Sequence, residues 1–292
     1  LSDLYDFKVV DFDPFAGPEL EKVVPVIEPQ SEIWISCLMG GEDANRSYNE
    51  SVSLRLQGSF NQNAMVQSLE DLVRRHESLR SAFSADGKQV CIYKTSALNL
   101  VLHDISTQTD EAQKQCINDF SKQDAQTPFD LLNGPLFRAA LFKLSDKEHF
   151  LKLTAHHIVC DGWSLGILLQ DLSKFYSGYI LERSPDLADP PQMSGYAMKM
   201  REFSESEEYR QIEQYWVNKY KDDVPVLDIP ADYPRPSDRT YKSHRDDYLI
   251  DKEVVTSIKK VGAKAGCSLV TTLMCSFEIF LNRITGQHDI VL

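Results

Sequence analysis

The sequence predicts an α/β fold, on three observations. A strand-like run, Phe150–Ala155, is followed within ten residues by an apolar-periodic helix, Trp163–Ile180. An amphipathic stretch, Asn61–Ser78, places Met65, Val66, Leu69, Leu72 and Val73 on one stripe, as a helix lying on a core requires. That stretch sits between short runs with a period near two, so strands and helices alternate along the chain.

Taken in order, residues 1–28 read as a leader or linker, with Pro14, Pro18 and Pro25 breaking any long helix. Ser31–Met39 reads as a short helix and Asn49–Leu56 as a strand. Asn61 is a candidate N-cap for the amphipathic helix. Leu79–Phe83 and Gln89–Tyr93 form a hairpin around Asp86-Gly87. A strand at Leu98–Leu102 and a helix over Thr109–Gln126 follow. Leu136–Leu144 and His149–His157 form a second hairpin, and the helix to Ile180 ends a first lobe. Pro185, Pro190 and Pro191 mark a connection. Beyond it come helices at Met193–Phe203 and Glu205–Tyr220, an extended crossing over Pro225–Pro236, a strand at Lys242–Ile250, helices at Lys252–Ala265 and Ser268–Ile284, and the start of a strand over His288–Leu292.

The chain of 292 residues is long enough for a substantial core, and its net charge of −13 argues against nucleic acid or an anionic membrane as the main partner. It contains no apolar run long enough to span a bilayer and no cleavable signal pattern. Its six cysteines form no Cys-x-x-Cys pair and no zinc-spaced cluster, which suits reduced thiols in a cytoplasmic protein.

Chemistry concentrates in Ala155-His156-His157-Ile158-Val159-Cys160-Asp161-Gly162-Trp163-Ser164, where a strand gives way to a helix. Side chains alternate along a strand, so an extended end would send the two imidazoles to opposite sides, and one substrate would meet only one of them. Asp161 stands where a carboxylate caps a helix or meets a cation. Gly162 eases the backbone constraint of the turn. Cys160 is read as packing rather than as a thiol nucleophile.

The string His156-His157-x-x-x-Asp161-Gly162 resembles the signature of condensation domains of nonribosomal peptide synthetases, within the chloramphenicol acetyltransferase-like superfamily. Arg75-His76-Glu77-Ser78-Leu79-Arg80-Ser81-Ala82-Phe83 is similar to that family's second motif, and Pro29-Gln30-Ser31-Glu32-Ile33-Trp34 to its first. Pro128-Phe129-Asp130-Leu131 with Gly134-Pro135-Leu136, Ile229–Pro236 and Thr285–Val291 extend the resemblance to about Pro29–Leu292.

The resemblance implies an αβ sandwich of the chloramphenicol acetyltransferase type, with a complete N-terminal lobe at 29–183 and a partial C-terminal lobe at 184–292. It implies amide formation between a donor acyl or peptidyl thioester and an acceptor aminoacyl thioester, each on the phosphopantetheine of a carrier protein, in a tunnel between lobes. Upstream and downstream carriers and an adjacent adenylation domain are the implied partners, and no metal or bound cofactor is required. His157 is expected to face substrate as general base or positioning group, and Gly162 to offer its N–H to the developing oxyanion. His156 is expected to support the fold, and Asp161 to make a structural ion pair, with Arg80 as the named partner. Trp163 and Ser164 are candidates to line the tunnel. A chain ending at Leu292 is expected to be inactive alone. The Asp161-Gly162-Trp163-Ser164 order resembles domains taking an L-configured or achiral donor, and the Pro29–Trp34 variant those following a polyketide module. Two alternatives remain: a non-catalytic domain that recruits carrier proteins, and a free-standing acyltransferase using coenzyme A.

Overall fold

A computed structural model of the chain describes residues 18–222, 224–234, 236, 240–241 and 248–292. The chain divides into two units after Glu205.

In the first unit, a four-stranded sheet holds β2 (Asn49–Gln57), β5 (Asn99–Asp104), β6 (Phe137–Ser145) and β7 (Glu148–His156) in the order β2-β7-β6-β5. β7 is antiparallel to both neighbours, with Asn49 opposite His156 and Phe137 opposite Ala155, whereas β5 runs parallel to β6. A three-stranded sheet joins β1 (Leu20–Pro25), β4 (Gln89–Tyr93) and β3 (Ser81–Phe83) in the order β1-β4-β3. β1 falls inside the expected leader, so the folded part begins before residue 28; residues 1–17 lie outside the described residues.

Two helices cover one face of the larger sheet. α2 (Gln62–Arg75) contributes Met65, Leu69, Leu72 and Val73, and α4 (Gly162–Ile180) contributes Leu165, Leu168 and Leu172. They close over Leu151, Leu153 and Ala155 of β7. Leu69, Leu72, Leu151 and Leu153 are fully buried, each contributing about 1.5–3 kcal/mol by leaving water. Asn61 caps α2, its Oδ1 accepting from Ala64 N at 3.0 Å, and its own N–H donates to Tyr176 Oη of α4 at 2.9 Å.

The opposite face of β7 is polar but buried. Asp124, near the end of α3 (Asp110–Gln126), accepts from Arg138 Nε at 2.5 Å and Thr154 Oγ1 at 2.7 Å, and lies 3.7 Å from Lys152 Nζ. His156 continues this face.

α1 spans Glu28–Ser47, well beyond the expected Ser31–Met39. The helix continues past Gly40-Gly41 with a one-residue break. Gly41 takes φ 61°, ψ −147°, a conformation side chains rarely allow, and the helix then resumes. α5 (Met193–Ser204) closes the unit, with contacts to β1.

The second unit contains α6 (Glu207–Lys219), α7 (Lys252–Lys264) and α8 (Leu269–Thr285), capped by Ser206, Asp251 and Ser268. The Gln287 side chain accepts from Asp228 N at 2.9 Å and donates to Val226 O at 2.8 Å, tying down part of the extended crossing. Of the strand expected over Lys242–Ile250, residues 242–247 lie outside the described residues and 248–250 are not a strand. Residues 288–292 form no strand either. Among the described residues, no single helix is long and apolar enough to cross a membrane.

Candidate active site

β7 ends at His156, and the chain turns through His157–Val159 before α4 begins at Gly162. The two imidazoles meet opposite environments. His156 is fully buried and His157 is exposed.

Burial dictates how His156 must be satisfied. Ile158 N–H donates to its Nδ1 at 3.2 Å, so Nε2 carries the ring hydrogen in the neutral form. Nε2 faces Cys37 Sγ at 3.9 Å, and the rings of Tyr48 and Phe129 stand 5.8 and 6.0 Å away. Burial pushes the imidazole down to about 4, with the His157 charge adding to the effect and a backbone hydrogen bond to Asn45 working against it. His156 is therefore neutral at physiological pH. It closes its own turn, because its carbonyl also accepts from Val159 N at 3.0 Å.

Two buried thiols, Cys37 beside His156 and Cys160 in the loop that follows, are shifted by the same cause. Burial pushes Cys37 up to about 11 and Cys160 to about 12. A thiol so far from ionising supplies no nucleophile at neutral pH.

His157 is held through its backbone, its N–H donating to Tyr48 O at 2.8 Å, while its ring is left exposed. Asp161 and Gly162 follow at the mouth of α4. Asp161 is the helix N-cap: its Oδ1 accepts from Ser164 N at 2.7 Å and from Ser164 Oγ at 2.6 Å. These bonds, followed by the nearby His157, hold its carboxyl below the usual range.

Two expectations are corrected here. Asp161 is exposed and makes no ion pair among the described residues. Arg80 instead donates to Glu21 Oε2 at 2.5 Å and to Tyr93 O, in the three-stranded sheet. The expected pair fails because Asp161 is satisfied within the first turn of α4 and Arg80 across the three-stranded sheet. Gly162 is also not a conformational necessity: it is the first helical residue, without a positive φ, and a Cβ there would meet nothing within 4 Å. Its amide belongs to the first turn, where no carbonyl of the helix reaches it. Trp163 stands 82% exposed beside it, while the Ser164 hydroxyl is committed to Asp161.

The second motif forms a separate cluster. Arg75 Nε and His76 Nε2 both reach Asp171 Oδ2 of α4, at 2.9 and 3.0 Å. Glu77 is buried, accepting from Lys22 Nζ at 2.5 Å and Ser194 N at 3.1 Å. The motif thus staples β1, α4 and α5 together.

Two amide side chains of α1 take part in ways that no local sequence pattern signals. Gln30 Nε2 donates to Ile158 O at 3.1 Å. Asn45 exchanges two bonds with Phe129, at 3.0 and 2.9 Å. Both residues are buried polar groups inside a helix, and Gln30 lies within the first motif. Their partners, 128 and 84 residues away, are invisible to periodicity.

A cavity of about 440 Å³, lined by Trp34, Cys37, Leu38, Gly41 and Phe129 among others, borders the buried side of His156 through Cys37 and Phe129. Another, about 320 Å³, lies by Phe60 and Tyr176 and includes no residue of the histidine turn. Among the described residues, no group of three or more His, Cys, Asp or Glu side chains is placed to hold a metal.

A family model for the condensation domain matches residues 20–292. The chain is similar to chondramide synthase cmdD of Chondromyces crocatus, at 32% identity over 92% of this chain and 7% of that protein. It is also similar to malpinin synthetase of Mortierella alpina, at 30% identity over 92% of this chain and 4% of that protein. The chain therefore spans only a small part of the length of these relatives. Its fold matches a substituted starter condensation domain of rhizomide synthetase, solved with C8-CoA and Leu-SNAC, at TM-score 0.78 and 20% identity, covering 92% of this chain and 60% of that one.

Proposed function

The chain belongs to the condensation-domain family, and we propose that it joins a donor acyl or peptidyl thioester to the amine of an acceptor aminoacyl thioester, each carried on a partner's phosphopantetheine. Condensation domains are acyltransferases, and similarity to synthetases points to carrier and adenylation domains as partners within a multidomain assembly. The exposed ring of His157, on a turn whose backbone is fixed, carries the reading.

His157 receives the proton of the attacking amine or holds that amine against the donor carbonyl. Base assistance of this kind is worth about 10²–10⁴ in rate. As the amine nitrogen bonds to the carbonyl carbon, negative charge collects on the carbonyl oxygen. The amide of Gly162, in the first turn at the positive end of α4, is suited to meet that charge. The carrier's thiol then leaves with a proton. His156 keeps the turn in shape, Asp161 fixes the start of α4, and Trp163 offers an apolar surface to an arriving arm. Arg80 supports the site only at a distance, through the three-stranded sheet. The carriers work in the cytoplasm, which six unpaired cysteines suit.

The test is transfer between a donor-loaded and an acceptor-loaded carrier by the full parent polypeptide. Amide product that depends on both carriers supports the reading. Because the rhizomide domain was solved with a coenzyme A ester, the competing arm supplies C8-CoA and Leu-SNAC without carriers. Efficient product there alone would identify a coenzyme A-dependent acyltransferase. Binding of carriers with no product in either arm would identify a recruitment domain.

A further inference from the structure

The turn that presents His157 is clamped on its backbone, and one clamp comes from a side chain distant in sequence. His157 N–H donates to Tyr48 O at 2.8 Å. Ile158 N–H donates to His156 Nδ1 at 3.2 Å. Ile158 C=O accepts from Gln30 Nε2 at 3.1 Å. Both polar groups of the residue after His157 are thus engaged, one by its neighbour and one by Gln30. Among the described residues, Gln30 and the adjacent His156 supply the side-chain bonds to the backbone of residues 157–159, and of these Gln30 alone is distant in sequence.

Gln30 is built for this contact. It is 5% exposed, and its remaining amide atom is engaged too, with Oε1 accepting from Ile27 N at 3.2 Å. One planar amide therefore joins the start of α1 to the turn. α1 is itself fixed against the same region, with Cys37 facing His156 and Asn45 bonded to Phe129. A buried amide with both ends paired has little freedom, because either bond broken leaves a polar group unsatisfied.

We propose that Gln30 is a positioning residue for His157: it sets the height and tilt of the turn from which the imidazole meets substrate. This rests on the reading of His157 as the substrate-facing group. A misplacement of about 1 Å at a reacting group can cost about 10²-fold in rate, which is the scale on which such a clamp acts.

Gln30→Glu separates this role from folding. The carboxyl keeps an acceptor for Ile27 N–H, so the start of α1 stays capped. When ionised it sets an oxygen against the Ile158 carbonyl and repels the turn. When protonated it donates to that carbonyl and restores the clamp. Burial raises a carboxyl's pKa, so the switch falls in an accessible range. The buried titratable groups packed on this turn, His156 at about 4 and Cys37 at about 11, stay neutral between about pH 6 and 8. Gln30→Leu, measured at the same pH values, carries the background of every other titrating group.

The experiment has two readouts. In the chain itself, ¹³C-resolved spectra of the His157 imidazole and hydrogen exchange at the His157 and Ile158 amides report the turn without any reaction. In the parent polypeptide, carrier-to-carrier transfer reports kcat and KM. At pH 8, Gln30→Glu is expected to shift the His157 signals and speed those amides' exchange about tenfold, the worth of one hydrogen bond. It is expected to lower kcat about 10²-fold with KM for the carriers unchanged. Both effects shrink as the pH falls toward 6, whereas Gln30→Leu, which cannot donate at any pH, shows no recovery. Unchanged spectra and exchange would overturn the proposal even if wild type transfers normally, and so would a wild-type kcat at pH 8. Shifted, acid-recovering spectra in a protein whose wild type makes no amide would uphold the clamp and reject the reaction. If Gln30→Leu does not fold, the pH dependence of Gln30→Glu alone decides.

Discussion

Two turns in this protein carry histidines next to carboxylates and backbone-capping groups, and they use them in opposite ways. In Arg75–Arg80 the charged side chains are paired across elements: Arg75 and His76 with Asp171, Glu77 with Lys22, Arg80 with Glu21. In His156–Gly162 the pairing falls on the backbone, on His156 and on Asp161, while His157 is left exposed. A polar group whose partners are all protein is spent on the fold. One held rigidly by its backbone, with an exposed ring, is available to a substrate. The family's second motif is thus a staple, and its histidine motif is a staple plus one exposed imidazole.

That contrast yields graded expectations. The largest effect on stability belongs to Asp171→Ala, which strips a common partner from Arg75 and His76. Breaking a buried pair from one side costs about 3–5 kcal/mol, readable as a shifted urea midpoint.

The next is a pH effect. Burial depresses His156 to about 4 and also lowers His76. A histidine kept neutral by folding binds fewer protons folded than unfolded, so stability rises with pH through this window. It is fully present above the unfolded value near 6.5 and declines as pH falls toward about 4. For His156 the full loss is about 3 kcal/mol. Urea melts at pH 7 and pH 4 read the combined loss, and His156→Phe should flatten the slope.

The smallest is at Asp161. An exposed N-cap is worth about 1 kcal/mol, and asparagine caps as well as aspartate. Asp161→Ala should therefore lower stability by about that much and Asp161→Asn by almost nothing. A loss above about 3 kcal/mol for the alanine variant would restore the buried ion pair that the geometry replaced.

Much of this fold was legible wherever local pattern decides it. Asn61 as N-cap, the apolar stripe of α2, the hairpin into the histidines and the helix after them all follow from spacing a few residues wide. The misreadings occur where distance decides. Leu20–Pro25 looked like leader because its status as a strand depends on pairing with Gln89–Tyr93. α1 looked short because Gly41 interrupts it, although its continuation is fixed by Asn45 on Phe129. Arg80 was assigned to Asp161 because its partner, Glu21, lies 59 residues away in that unread strand. At the site, alternation along β7 does not reach His157, because the strand ends at His156 and the second imidazole is exposed from the turn instead. Nor could alternation foretell Gln30, whose contact with Ile158 exists only once α1 and the turn are folded together.

The most direct measurement of the central contrast pairs a thermal melt with single-turnover transfer for His157→Ala in the parent polypeptide. The account predicts an unchanged melting temperature, since an exposed ring contributes little to the fold, with transfer reduced about 10²–10⁴-fold. A lowered melting temperature with transfer at the wild-type rate per folded molecule would contradict it.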